Sequence, residues 1–496
     1  MQYIHARLVR YLSIIEKIGN RLPHPTAIFI FLAAIMVPLS ELINQFGIEA
    51  QHPVSGELLR PRSLASAEGL SFILTQTIAN FTHFAPLGSV LIAMLGLGIA
   101  EKSGLLSALL SRLVKATPAR LLAFVVIFAG ILSNLAVDAG YVVLIPLAGS
   151  LYLAAGRNPL AGIGLAFAGV SAGFSANLIA GPFDAIMAGL SQTAAQIIDN
   201  QYTINLTFNY YFMAASTLLI AFTGSLVNAK WVEPYLGEHQ SKEHKQSQDT
   251  LDNHPGLIYA AIAFVAAVLL LACGLIPEEG FLREPQTNGI LSADVIRGSV
   301  VVISLIAALC GLAYGWGART ITTSHQLVEA MEDAMKSMSG YIVLMFFAAQ
   351  FVAYFNWTQL GPIFAISGAD SLRETGLSPL LLLLLFMAFS ALLNLFIGSA
   401  SAKWAILAPV FIPLFMLLGM PPEATTAAYR VADSVTNIIT PLMPYFGVVL
   451  IFVRQYQPNA GLGTLAAMMF PYAVALGLVW ALFFSLWFLL SLPFGF

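Results

Sequence analysis

Long apolar stretches separated by short polar ones run along almost the whole chain. A hydrocarbon core about 30 Å thick is crossed by roughly 20 residues of α-helix. Stretches of that order lie at about 26–46, 85–100, 209–229, 257–276, 295–316 and 340–366. They are continuous and rich in Leu, Ala and Ile, whereas the strands of a membrane barrel would read as short alternating segments. The pattern predicts an all-α polytopic membrane protein, lying in a lipid bilayer.

Other apolar segments are interrupted. Residues 121–155 are broken by Ser133-Asn134-Leu-Ala-Val-Asp138-Ala-Gly140 and by Pro146, which leaves two halves too short for ordinary spans and predicts a re-entrant hairpin. Residues 160–198 are broken around Asn177 and Gly181-Pro182-Phe-Asp184; Pro182 removes a backbone donor where helix would otherwise continue, so a discontinuous helix is expected. The second half repeats this order, with an interrupted segment at about 378–418 and a helix at about 424–455 broken from Asn437 to Pro441. Aligning Pro146 with Pro409 sets Asp138-Ala-Gly140-Tyr141 against Ser401-Ala-Lys403-Trp404, and aligning Asn177 with Asn437 sets the two breaks against each other. The expected organisation is a first half, 1–229, a hydrophilic linker, 230–255, and a second half, 256–496. An odd number of crossings between the copies makes the repeat inverted. Paired hairpins and broken helices are the sequence pointer to the binding site of a secondary transporter.

Composition and charge narrow the partners. Of 496 residues, 58% are hydrophobic and 9% charged, against about 25% charged in soluble domains. A net charge of −3 with no basic block argues against nucleic acid. The two cysteines, Cys273 and Cys310, are too few and too far apart for a disulfide framework or a cysteine metal site. Arg7, Arg10, Lys17 and Arg21 precede the first span, so the positive-inside rule places the N-terminus in the cytoplasm, behind an uncleaved anchor in the cell inner membrane.

Polar residues at bilayer depth are expensive and normally sit on a solute or ion path. Asn134, Asn177, Asn394 and Asn437 supply one amide to each break or hairpin tip. Each could simply cap a helix end; their fourfold recurrence favours carbonyl ligands for a coupling cation. Asp184 and Asp433 are the carboxylates nearest the first and second breaks, with Asp138 a further candidate. Asp433 lies three residues from Arg430, so the two could form a structural ion pair on one helix turn. Alternatively Asp433 carries the coupling ion or proton, and Arg430 tunes it or binds an anionic solute. Ser399, Ser401, Lys403 and Trp404 follow the tip at Gly398. They read either as close helix packing and an interfacial aromatic, or as a cradle of hydroxyls and one aromatic face for a ring-bearing solute.

The strings Ser-Ala-Gly-Phe-Ser-Ala-Asn-Leu at 171–178, Gly-Pro-Phe-Asp at 181–184, Asn-Leu-Phe-Ile-Gly-Ser-Ala-Ser-Ala-Lys-Trp at 394–404 and Ala-Tyr-Arg-Val-Ala-Asp-Ser-Val-Thr-Asn-Ile-Ile-Thr-Pro-Leu-Met-Pro-Tyr at 428–445 resemble the p-aminobenzoyl-glutamate transporter (AbgT) family. The likeness extends over nearly the whole chain. It implies a bowl-shaped homodimer within the ion-transporter superfamily, each protomer with about nine spans plus two re-entrant hairpins. It also implies import of p-aminobenzoyl-glutamate or export of sulfonamide antimetabolites, driven by an ion gradient. Carried onto this sequence, the family's functional residues are Asp184, Asn394, Ser401, Trp404, Pro422, Arg430, Asp433 and Pro441.

The combined expectation is a secondary transporter of a small aromatic or carboxylate solute, without an enzymatic activity or a cofactor beyond its coupling ion. Na+ is expected near Asn394, Gly398, Asp433 and Asn437, or a proton on Asp433 or Asp184. A Na+-coupled dicarboxylate importer of the same superfamily is the alternative. An intramembrane aspartyl protease would also use two aspartates, one protonated and one ionised, but neither Gly-Pro-Phe-Asp184 nor Arg-Val-Ala-Asp433 resembles the Gly-x-Gly-Asp string of those enzymes.

Overall fold

The computed structural model describes residues 25–47, 49–51, 58–115, 117–118, 120–135, 140–237, 255–277, 280–283, 298–440, 443 and 445–496. The N-terminal cations, Asp138, Pro441 and most of the linker, 238–254, lie outside the described residues. The chain begins with α1 (Pro25–Phe46), a two-stranded ribbon of β1 (Ala50–Gln51) and β2 (Leu58–Leu59), and then α2 (Ala67–Thr82), α3 (Ala85–Lys102) and α4 (Leu105–Lys115). The first interrupted segment is α5 (Leu122–Leu132) and α6 (Ile145–Ala154); the second is α7 (Pro159–Phe167) and α8 (Pro182–Ala195). Next come α9 (Tyr210–Val227), a short α10 (Glu233–Leu236), α11 (Pro255–Leu275), α12 (Ser299–Ala318), α13 (Ser324–Ser337), α14 (Ser339–Trp357) and α15 (Leu360–Glu374). The second set of broken elements is α16 (Pro379–Asn394) with α17 (Ala400–Leu417), then α18 (Pro422–Thr436) with α19 (Phe446–Tyr456); α20 (Leu462–Leu489) closes the chain.

Among the described residues, seven helices are long and apolar enough to cross a membrane, or nine if each of two bent pairs is one span. The bends are 63° between α3 and α4 and 118° between α15 and α16. The protein is thus an all-α polytopic membrane protein. Two elements differ from expectation. Helix α2 was not anticipated, because Glu68, Thr75, Gln76 and Asn80 dilute its hydropathy, although Leu70, Leu74 and Ile78 form an exposed apolar stripe on it. The apolar run at 340–366 is divided between α14 and α15 by a turn in which Gln359 takes φ +62°.

Local chemistry sets the helix ends at the breaks. Pro182 occupies the first turn of α8, where its missing N–H costs nothing, and so begins a helix rather than interrupting one. Asp184 accepts from the Gly181 amide at 2.7 Å and closes that end. Asn158 caps α7 by accepting from the Leu160 amide at 3.0 Å, and Ser399 caps α17 through the Ala402 amide at 3.4 Å. Between α7 and α8 the chain passes through a π-turn, Ala168–Ala172, and irregular residues 173–181; between α18 and α19 it is irregular from 437 to 445 where described.

Packing relies on small residues, since bilayer interiors give helices no hydrophobic reason to associate. At the α3–α12 crossing, the Ser304 hydroxyl accepts from the Gly96 amide at 3.1 Å and donates to the Ile92 carbonyl at 2.6 Å. A Cβ on Gly169 would lie 2.5 Å from the Ile127 carbonyl oxygen, so α5 meets the first break backbone to backbone. Helix α17 of the second half packs on α8 of the first, and α18 lies against both α16 and α20. The second hairpin and both breaks thereby meet at one buried centre.

Candidate functional site

Helix α18 carries the residues that join the centre. Its hydropathy is low for a membrane helix, yet Thr425 through Val435 are buried throughout. Polar side chains in such a place need partners, and they find them on two sides.

On one side lies the α16–α17 tip. Asn394, fully buried, places its amide nitrogen 2.7 Å from the Asp433 carbonyl and 2.8 Å from both Thr436 Oγ1 and Asn437 Oδ1. The Lys403 ammonium donates to Asn394 Oδ1 and, at 2.6 Å, to Asp433 Oδ1. Lys403 and Asp433 are 1% and 0% exposed, so each ion is held by its partner and the surrounding amides rather than by water. Asn437 Nδ2 approaches the other carboxylate oxygen of Asp433 at 3.4 Å. Tyr429 donates to the Ala400 carbonyl at 2.6 Å and lays its ring 5.6 Å from the ammonium.

The other side faces the first break. Arg430 Nη2 donates to Asp184 Oδ1 at 2.5 Å and reaches the Ser175 carbonyl at 3.4 Å. The Ser175 amide in turn donates to Ser434 Oγ at 3.1 Å. Arg430 and Asp433 therefore do not pair along their shared turn: α18 points them to opposite sides, where each meets an opposite charge on another element. Arg430 Nε and Nη1 and the Ser175 hydroxyl are buried without a partner among the described residues. Beside them Phe183 lies 5.5 Å from the guanidinium carbon, with Phe174 stacked obliquely on it at 4.5 Å. Both rings are half-buried.

Not every sequence candidate reaches this centre in the manner expected. Trp404 is fully buried, stacks on Tyr429 at 4.5 Å, and donates to Ser191 Oγ at 3.1 Å, which in turn pairs with Thr426. It presents no open face to a solute in this conformation. Ser399 caps α17, while Ser401 and Gly398 are half-exposed near the tip, and Pro422 is buried in the first turn of α18. Asn134 donates to the Ile131 carbonyl at 3.1 Å and thus serves a helix end. Asn177 accepts from the Leu178 amide at 2.9 Å and, with Ser133, Thr117 and Arg112, lines a mainly apolar cavity of about 620 Å³.

Sequence reasoning underrated Lys403 and passed over Tyr429, Ser191, Phe174 and Phe183. A lysine placed between Ser401 and Trp404 within a membrane-grade run was the available signal, since intramembrane cations are rare and usually paired. The oxygen donors of Asn394, Asp433 and Asn437 are of the type a hard cation takes. Here, however, Asn394 Oδ1 and Asp433 Oδ1 face the Lys403 ammonium, and Asn437 Oδ1 accepts from Asn394. In this conformation the set does not fit an additional Na+. An aspartyl dyad is absent among the described residues as well, because Asp184 and Asp433 each bind a separate cation instead of sharing a proton.

Comparison with known proteins agrees with this architecture. The family model of the AbgT transporters matches residues 10–496. The p-aminobenzoyl-glutamate transport protein of Escherichia coli K12 is 36% identical over 482 residues, covering 97% of this chain and 95% of the relative. The crystal structure of the Alcanivorax borkumensis YdaH transporter superimposes with a TM-score of 0.92 at 48% identity, over 95% of this chain and 100% of that one. The Neisseria gonorrhoeae MtrF structure, described as illuminating a class of antimetabolite efflux pumps, gives 0.92 at 44% identity, over 96% and 97%. These relatives are transport proteins and not enzymes. Two buried ion pairs where broken helices meet, in a chain matched almost end to end, mark this protein as a multi-pass membrane transporter belonging to the AbgT family.

Proposed function

We propose that the protein is an ion-gradient-coupled secondary transporter of small aromatic carboxylates of the p-aminobenzoyl-glutamate type, with sulfonamide antimetabolites as a second class of solute. The observation that carries this reading is the pair of Arg430 nitrogens, Nε and Nη1, that are buried without a partner among the described residues. Burying unpartnered N–H groups on Nε and Nη1 forfeits about 1–3 kcal/mol for each, and a carboxylate oxygen accepting at either nitrogen offsets that loss with a charge-assisted hydrogen bond. The half-buried Phe174 and Phe183 beside it suit an aryl ring. Asp184 holds Arg430 in place from the first break. The names of the relatives support the same solute class.

In this reading the protein works as a homodimer in the cytoplasmic membrane with its N-terminus inside, and Asp184, Asn394, Asp433 and Asn437 take part in coupling to Na+ or H+. The test is counterflow of labelled p-aminobenzoyl-glutamate and of a sulfonamide in proteoliposomes, with Na+ and pH gradients imposed separately. Arg430→Gln is expected to lose at least about tenfold in counterflow, as removal of one charge-assisted hydrogen bond predicts. Arg430→Gln/Asp184→Asn, which leaves no lone charge, serves as the folding control. Undiminished counterflow by Arg430→Gln refutes the assignment. Uptake of dicarboxylates lacking an aryl group, with none of the aromatic compounds, points to a dicarboxylate importer.

A further inference from the structure

We infer that the ammonium of Lys403 is a tethered, resident cation of the Asp433 site, and that a free monovalent cation binds there only by displacing it. Lys403 is 1% exposed, and its Nζ donates to Asn394 Oδ1 and Asp433 Oδ1, the two oxygens best placed to coordinate a hard cation. An added cation at these atoms would stand within a few ångströms of the ammonium, where like charges repel strongly in a dry interior. Occupancy by one therefore excludes the other.

The tether allows exchange. Lysine carries its charge on a flexible four-carbon stem, and the Tyr429 ring, fixed by its hydroxyl on the Ala400 carbonyl, offers a cation–π surface 5.6 Å from the present position. The device belongs to the second repeat alone. Aligning Pro409 with Pro146 sets Gly140 against Lys403, so the first repeat has no equivalent lysine; its Asp184 is neutralised instead by Arg430 from the second repeat. Asp433 thus alternates between an internal and an external cation, and the solute cycle is linked to that exchange.

This inference deepens the gradient-coupled reading and rests on it, yet its test reads ion binding without transport, so either can fail alone. Purified full-length protein in lipid nanodiscs is titrated with radiolabelled Na+ against choline, and melting temperature is followed in the same salts. Lys403→Gln is expected to bind Na+ at least about tenfold more tightly than the parent, through loss of a neighbouring charge. Its melting temperature should rise in NaCl but not in choline chloride. Lys403→Arg, which keeps the charge, should resemble the parent, and Lys403→Gln/Asp433→Asn should lose the gain. Equal or weaker Na+ binding by Lys403→Gln overturns the proposal, as does a gain that survives in the double variant. Failure of Lys403→Gln to fold in either salt also overturns it, since Na+ would then have failed to replace the ammonium.

Discussion

At the scale of single residues, Trp404 shows how burial revises a role. A tryptophan near a hairpin tip reads as a ring for a solute to stack on, but here its indole is enclosed, resting on Tyr429 and hydrogen-bonded to Ser191. It braces the ring that faces Lys403. Trp404→Phe is expected to lose about 1 kcal/mol with its hydrogen bond and to keep counterflow. Trp404→Ala is expected to lose about 3–5 kcal/mol through the cavity it leaves, seen as a lower melting temperature in detergent together with lost transport. A Phe variant that folds normally and abolishes counterflow would restore Trp404 to the solute path. The same distinction explains what could be read in advance. Asn394, Arg430 and Asp433 are conspicuous because polar groups are rare in such surroundings. The grouping of Asn394 with Asp433 and Asn437 was legible, but the partner of Arg430 was not, because Asp184 lies 246 residues away in the chain and spacing along one helix offered only the wrong neighbour, Asp433.

At the scale of elements, hydropathy located the spans and the interruptions, since crossing a bilayer imposes length and apolarity on each. It failed where a helix is amphipathic or where one apolar run holds two helices. Helix α2 is fixed to α14 by polar contacts, Asn80 to Gln350 at 3.0 Å and Gln350 to the Thr77 carbonyl at 2.9 Å, which no hydropathy window rewards. Packing of α5 on the first break depends on the absence of a side chain. A Cβ at Gly169 would lie 2.5 Å from Ile127 O and 3.0 Å from Gly130 Cα, both backbone atoms with little room to yield. Gly169→Ala is therefore expected to destabilise by roughly 1–3 kcal/mol, as overpacking does, whereas Gly447→Ala, with nothing within 4 Å of the added carbon, should be close to neutral. Melting curves of the two variants in the same detergent decide the point; equal melting temperatures would contradict the close approach of α5.

At the scale of the whole molecule, the two halves complete each other. Arg430 and Ser434 of the second break hold Asp184 and Ser175 of the first, and Trp404 of the second hairpin is anchored on Ser191 of the first half. The second break is held partly by its own hairpin, through Asn394 and Lys403, and partly by the first break, so movement of one break is transmitted to the other through the buried Arg430–Asp184 pair. The two ion pairs also carry an electrical consequence: two cations and two carboxylates leave the centre neutral. A solute with two ionised carboxylates, as p-aminobenzoyl-glutamate has, brings two uncompensated negative charges into surroundings that penalise them heavily. Its passage is expected to be electroneutral, with two monovalent cations moving alongside each dianion. Uptake rates in proteoliposomes should then be indifferent to a potassium diffusion potential set with valinomycin, and a rate that follows the potential would mean a different ratio of ion to solute. The neutrality of the resting centre would thus fix how many ions each molecule of solute must bring.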